Sequence, residues 1–314
     1  MNRSLPLVRL LQRRARALRR HLSAAVAGKD TGVHQARVAS RRLREALPVL
    51  TEGLQNTKKS KAERKIRRLT QALGTVRELD VTLHLIDELA DRPSIPRPAL
   101  TDVRAQVIEA REKRRAVMLE RVGKVNTDKL SRRLREVAGV VGNPTSGHAW
   151  RAALATRIVR RARRLEKAID QAGQIYNPQA LHDVRIAAKK LRYALEIADE
   201  SGAAPCAVAV RTIKRVQDTL GRLHDLHVLQ HHIADVAATP PRSRRAPDAS
   251  LGTLSRMIED ECRQLHGRYV AGIPQLLEAA QAARRDVPAR LAARRRRSAK
   301  MSLSSRRRAA GVRG

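Results

Sequence analysis

The chain has 314 residues, with 66 Lys or Arg against 30 Asp or Glu, a formal charge of +36. Its 42% hydrophobic content is enough to bury a core, and only 16 Gly and 13 Pro interrupt an Ala-, Leu- and Arg-rich composition. That favours helix throughout and excludes collagen-like, disulfide-stapled and β-sandwich chains.

The periodicity of apolar residues predicts helices over about 4–27, 31–53, 58–91, 97–123, 128–141, 148–173, 178–200, 204–237 and 249–285. The breaks carry turn chemistry: RPSIPRP at 92–98, GNPTSG at 142–147 and TPPRSRRAP at 239–247. Residues 284–314 hold twelve Lys or Arg and one acid, Asp286, which predicts a disordered basic tail over 286–314. The expected organisation is an all-α domain over 1–285, with halves of about 1–126 and 145–285, followed by that tail.

The N-terminal MNRSLPLVRLLQRRARALRR lacks the apolar stretch of a secretory signal. It is Arg-rich and acid-poor like a transit peptide, but it has an internal counterpart described below and so reads as a structural helix. Cys206 and Cys262 form no CxxC pair, which excludes a disulfide framework or zinc ribbon and points to a reducing cytoplasm. No apolar run approaches the ~20 residues of a membrane span.

The charge calls for a polyanionic partner. Trp150, Tyr176, Tyr193 and Tyr269 are the only aromatic residues, too few for a surface on which bases stack. Phosphates without bases fit the composition best.

An internal repeat organises the chain. VHQARVASRRLREALPVL at 33–50 aligns without a gap with LHDVRIAAKKLRYALEIA at 181–198, and seven of the 18 positions are identical. In the first helix Arg9, Arg13 and Arg16 fall at the same offset from Arg157, Arg161 and Arg164. In the third, LGTVRELDV at 73–81 resembles LGRLHDLHV at 220–228. The chain therefore reads as two copies of a four-helix unit.

On the repeated second helix, Arg37, Arg41 and Arg44 share a stripe with His34, opposite a face of Ala and Leu. Arg42 sits at its boundary. The second copy repeats the stripe with His182, Arg185, Lys189 and Arg192, with Lys190 in the boundary position. A solvated face mixes signs to gain i,i+4 pairs; this stripe holds no acid, which marks it as a phosphate-binding stripe. Asn177 followed by Pro178 reads as an N-cap and first helical residue, and Asp30 or Thr31 as the cap of the first copy. Each His then lies near a helix N-terminus, which attracts anions. Arg9, Arg13 and Arg16, and Arg157, Arg161 and Arg164, stand on one face of their helices and are expected to line a groove with the His stripes.

Other constellations argue less. His224, His227, His231 and His232 share one helix, but the first copy has Arg77 and Asp80 in place of His224 and His227, and one helix rarely completes a metal shell. Partly buried or surface histidines are the preferred reading, with no metal and no cofactor. Glu78, Asp80 and Asp225 are read as partners that orient nearby Arg rather than as general acids. No phosphate loop or nucleophile elbow occurs, so nothing argues for catalysis.

The doubled H-x-x-R-x-x-x-[RK]-[RK]-L-R, each followed by L-G-x-x-x-[ED]-L, resembles the CHAD family (conserved histidine α-helical domain) over about residues 1–285. The resemblance implies two four-helix bundles related by pseudo-two-fold symmetry around a basic channel that binds long-chain inorganic polyphosphate, and an association with polyphosphate granules. His34, Arg37, Arg41 and Arg44 would line the channel from one half, and His182, Arg185, Lys189 and Arg192 from the other. Glu45 stands where the second copy has Tyr193, so the halves need not bind equally. The expectation is a non-enzymatic polyphosphate-binding protein. The competing reading is a histone-like nucleic-acid-binding protein driven by the tail.

Overall fold

The computed structural model describes residues 6–27, 29–52, 57–141, 149–238 and 249–310, with side chains except those of Asp30, Lys58 and residues 294–310. Among them are nine helices and no strand: α1 (Pro6–Val26), α2 (Asp30–Leu50), α3 (Thr57–Ala90), α4 (Arg97–Gly123), α5 (Thr127–Val141), α6 (Ala149–Ala172), α7 (Pro178–Glu200), α8 (Ala207–Ala238) and α9 (Ala249–Ala310).

Each helix buries the stripe its sequence predicts. In α2 the stripe is Ala36, Ala39, Leu43, Ala46 and Leu47, and in α7 it is Val184, Ala188, Leu191 and Leu195. The small residues let the helices approach closely, and each fully buried Leu contributes roughly 2 kcal/mol. Consecutive helices pack on one another within α1–α4 and within α6–α9, whereas α5 packs on α1 and α3. A Cβ on Gly32 would stand 2.6 Å from the backbone of Ala24, so the α1–α2 turn closes only around glycine. After α7, Gly202 takes φ 64°, the left-handed conformation that ends a helix.

Helices α1–α5 form the first bundle and α6–α9 the second, and their apolar interiors join in one core. The halves meet through α2 against α6 and α7, and through α3 and α4 against α8. They are not identical. In the second half α6 packs on α9 as well as on α7, whereas in the first α1 packs mainly on α2 and meets α5, which has no counterpart, more than α4.

Two expectations are corrected. The cap of α2 is Lys29, which makes no side-chain cap hydrogen bond, rather than Asp30 or Thr31. Asn177 does cap α7, accepting from the backbone N–H groups of Gln179 and Ala180. The last helix also passes 285: Val287 and Leu291 are buried at 5% and 1% exposure. They extend the stripe of Leu276, Ala280 and Ala283, and Arg290 donates to the Pro205 carbonyl. The start of the expected tail is therefore part of the packed body, and α9 continues to Ala310; residues 311–314 lie outside the described residues.

Candidate anion-binding groove

His34 and His182 are each the fifth residue of their helix, so the repeat places both imidazoles alike although only one helix is capped by a side chain. One and two turns on, Arg37, Arg41, Arg185 and Lys189 converge from the two halves. Arg41 acts electrostatically on both Arg185 and Lys189, and Arg37 also acts on Lys189. None of the four makes an ion pair or side-chain hydrogen bond among the described residues. Burial, then the neighbouring cations Arg185, Arg41 and Arg37, push the Lys189 ammonium down to about 7. Burial and Arg41 bring Arg37 to about 10.

The third helix of each half forms the groove wall, and here its L-G motif acquires a reason. A Cβ on Gly74 would stand 2.5 Å from Arg37 Nη1, and one on Gly221 would stand 4.0 Å from Arg185 Nε. The motif arginine of the second helix lies over the motif glycine of the third in both halves.

Position 77 and its counterpart 224 face the histidines. Burial and then Arg77 hold His34 below its usual range, and His224 packs on His182 with ring centroids 4.9 Å apart. Both histidines favour the neutral form, as their basic surroundings predict, but burial is the larger cause and the cations are second. His224 is pushed to about 4 by burial and then by Arg185. Nδ1 of His34 is buried without a hydrogen-bond partner. The acids bond none of the four: Asp80 accepts from Arg111 Nε at 2.7 Å, and the exposed Glu78 acts on Arg37 and Arg185 only through its charge. Asp225 opposes the charge of Arg185 without bonding it, and burial raises its carboxyl.

The remaining predicted residues lie elsewhere. Arg192 donates to Gln217 at 2.6 Å and to Glu196, so it is already partnered. Arg42 reaches Glu196 at 3.6 Å, Arg44 reaches Glu45 at 3.6 Å, and Lys190 is exposed. The first-helix arginines do not line the groove. Arg161 donates to the Lys190 carbonyl at 2.6 Å and to Glu45 at 2.5 Å, and Arg157 donates to the Glu45 carbonyl at 3.0 Å. Arg14 makes the matching bond in the first half, to the Arg42 carbonyl at 2.8 Å, and also donates to Glu200 at 3.0 Å. Arg14, not Arg13, is thus the counterpart of Arg161, and the first helices are related by an offset one shorter than the second. Arg13 pairs with Glu200 at 2.6 Å, Arg9 and Arg164 are exposed, and Arg16 lies in a cleft between α1 and α5.

The acids at the junction are used at its ends. Glu45 and Glu200 each bind arginines of the opposite half. At the other end Arg222 holds Glu88 at 2.6 Å and Glu261 at 2.9 Å, and Arg92 joins both acids. Between these closures Arg37, Arg41, Arg185 and Lys189 make no ion pair with a carboxylate among the described residues. The helix-eight histidines do not assemble either: His227 bonds the Tyr176 hydroxyl and His231 bonds the His227 carbonyl. No described group of three or more His, Cys, Asp or Glu is placed to hold a metal ion. Among the described residues no helix is long and apolar enough to cross a membrane.

The family model of the CHAD domain matches residues 9–234. Two solved structures share the fold. The crystal structure of the CHAD domain from the plant Ricinus communis is 22% identical, with 86% of this chain and 90% of that chain covered and a TM-score of 0.61. PptA from Streptomyces chartreusis is 18% identical, with 86% and 98% covered and a TM-score of 0.61. No curated protein matches the chain.

Proposed function

This chain belongs to the CHAD family, and from that premise we propose that it binds inorganic polyphosphate, without catalysis, in the groove between its two halves. The observation that carries the reading is the meeting of Arg37 and Arg41 with Arg185 and Lys189, paired with no carboxylate among the described residues and buried enough to lower the pKa values of Arg37, Arg185 and Lys189. Such a cluster costs the free protein stability through self-repulsion, and an anion that fills it returns that cost. Guanidinium groups offer bidentate contacts to phosphate oxygens, and the imidazoles add shorter donors. A linear chain with a charge on every unit suits a row of cations built by two helices in succession. In a reducing cytoplasm the same contact would carry the protein to polyphosphate granules.

The test is the quadruple variant R37A/R41A/R185A/K189A. Titration with long-chain polyphosphate is expected to lose groove binding while the helical circular dichroism is retained. The wild-type affinity is expected to fall steeply with salt, because bound cations are released from the polyanion. Unchanged affinity in the variant overturns the assignment. Preference for duplex DNA over polyphosphate in direct competition would favour nucleic acid as the partner.

A further inference from the structure

A second basic surface lies on the outer face of the first half, away from the groove. On α3, Lys61, Lys65 and Arg68 follow at i, i+4 and i+7, on one face of the helix. On α5, which packs beside α3, Lys129 and Arg133 face Lys65 closely enough to depress its ammonium after burial has done so. None of these five side chains is ion-paired among the described residues. The other flank of α5 continues the charge. A cleft of about 340 Å³ between α1 and α5 is lined by Arg16, Arg19 and Arg135, with Asp128 as its one acid.

The repeat does not demand this surface. At the matching positions of the second half Lys61 and Lys65 become Val208 and Thr212, and Val208 is 70% exposed. The helix that supplies Lys129 and Arg133 has no counterpart there. Packing does not require it either, because like charges brought together without acids destabilise the fold. All four aromatic residues lie in the second half, so nothing on this face stacks a base.

We propose that the α3–α5 face is a second binding surface for a linear phosphate chain, so that one protein molecule engages two segments of polyphosphate, one in the groove and one outside. The ligand class rests on the function proposed above; the surface rests on its own residues. Two sites per molecule make the protein a bridge between chains, whereas the groove alone makes it a one-site binder.

The experiment titrates polyphosphate too short to span both sites and measures stoichiometry, then adds long chains and follows light scattering. Three proteins are compared: the full chain, the face variant K65A/R68A/K129A/R133A, and the groove variant R37A/R41A/R185A/K189A. The full chain is expected to bind two short chains and to scatter with long ones. The face variant should keep the tighter step, halve the stoichiometry and lose the scattering. The groove variant should keep only the weaker, more salt-sensitive step. Wild-type stoichiometry and scattering in the face variant overturn the second surface. Loss of all binding in the face variant, with the groove variant unaffected, would overturn the groove and leave the face as the site. Displacement of the weaker step by duplex DNA at lower concentration than by polyphosphate would overturn the ligand assigned to the face. Circular dichroism of each variant checks that the helical fold is retained.

Discussion

The guanidinium of Arg37 lies over Gly74, with Nη1 2.5 Å from the place a Cβ would occupy. Arg185 stands in the same relation to Gly221 but with more room, at 4.0 Å from its Nε. The two motifs of each repeat unit are thus one device. A glycine on the third helix opens the wall, and the arginine of the second helix uses the space: Arg37 points its Nη1 at Gly74, with Cζ 3.7 Å from the same place.

Substitution at these glycines separates binding from stability. Gly in a helix interior costs about 1 kcal/mol relative to Ala, so Gly221→Ala is expected to raise unfolding stability by about that amount with polyphosphate affinity unchanged. In Gly74→Ala the new methyl group displaces the flexible end of Arg37 rather than backbone. Stability should again rise, but affinity should fall. Denaturant unfolding and calorimetric titration of the two variants check the contrast; equal affinity in both would show that the seat of Arg37 does not matter.

Arg161 tests the opposite case, a cation whose work is structural. Its guanidinium spans the halves to Glu45, and the side chains are 10% and 15% exposed. Removing one partner of a buried pair costs about 3–5 kcal/mol because the other charge is left unpaired, so Arg161→Ala is expected to destabilise the protein on that scale. The surface pair Lys214–Asp218, at 61% and 63% exposure, should cost under about 1 kcal/mol when Lys214 is replaced by Ala. Urea unfolding measures both, and a neutral Arg161→Ala would return this residue to the groove-lining set.

The sequence made the helices and the repeat legible, and with them the His and Arg positions of α2 and α7, because one face of each helix had to be apolar and the other could not be. It left unread which neighbour the polar face meets. Arg161 and Glu45 are 116 positions apart, and no local spacing distinguishes a buried interhelical arginine from one facing an open groove. Arg14 falls off the predicted stripe yet is buried at 5% exposure, because the first helices are offset by one residue from the alignment of the second. Arg77 and Gly74 were visible only as members of a repeated segment; their roles depend on the Arg37 and His34 they face. The extent of α9 is hard to read from sequence because the run of cations after Pro288 masks Val287 and Leu291, two apolar residues in register with the stripe before them.

Lys189 makes groove binding depend on pH. Its ammonium, depressed from 10.5 to about 7 by burial and by Arg185, Arg41 and Arg37, is half neutral near pH 7 in the free protein. A polyanion in the groove opposes that depression, so binding takes up a proton and affinity should rise as pH falls from about 8.5 to 6. The unfolded chain, with Lys189 near its ordinary value, holds this proton between about pH 7 and 10.5 while the free folded protein does not. The unfolded state therefore binds more protons across that window, and the Lys189 contribution to ligand-free stability increases with pH there. Bound polyphosphate should flatten this slope. Titrations at pH 7.5 in buffers of different ionisation enthalpy measure the proton uptake directly. Lys189→Met should reduce the uptake and weaken the pH dependence of affinity, while His224, already neutral with a pKa of about 4, contributes little above pH 6. Undiminished proton uptake in Lys189→Met would assign the titration to His34 and His182 instead.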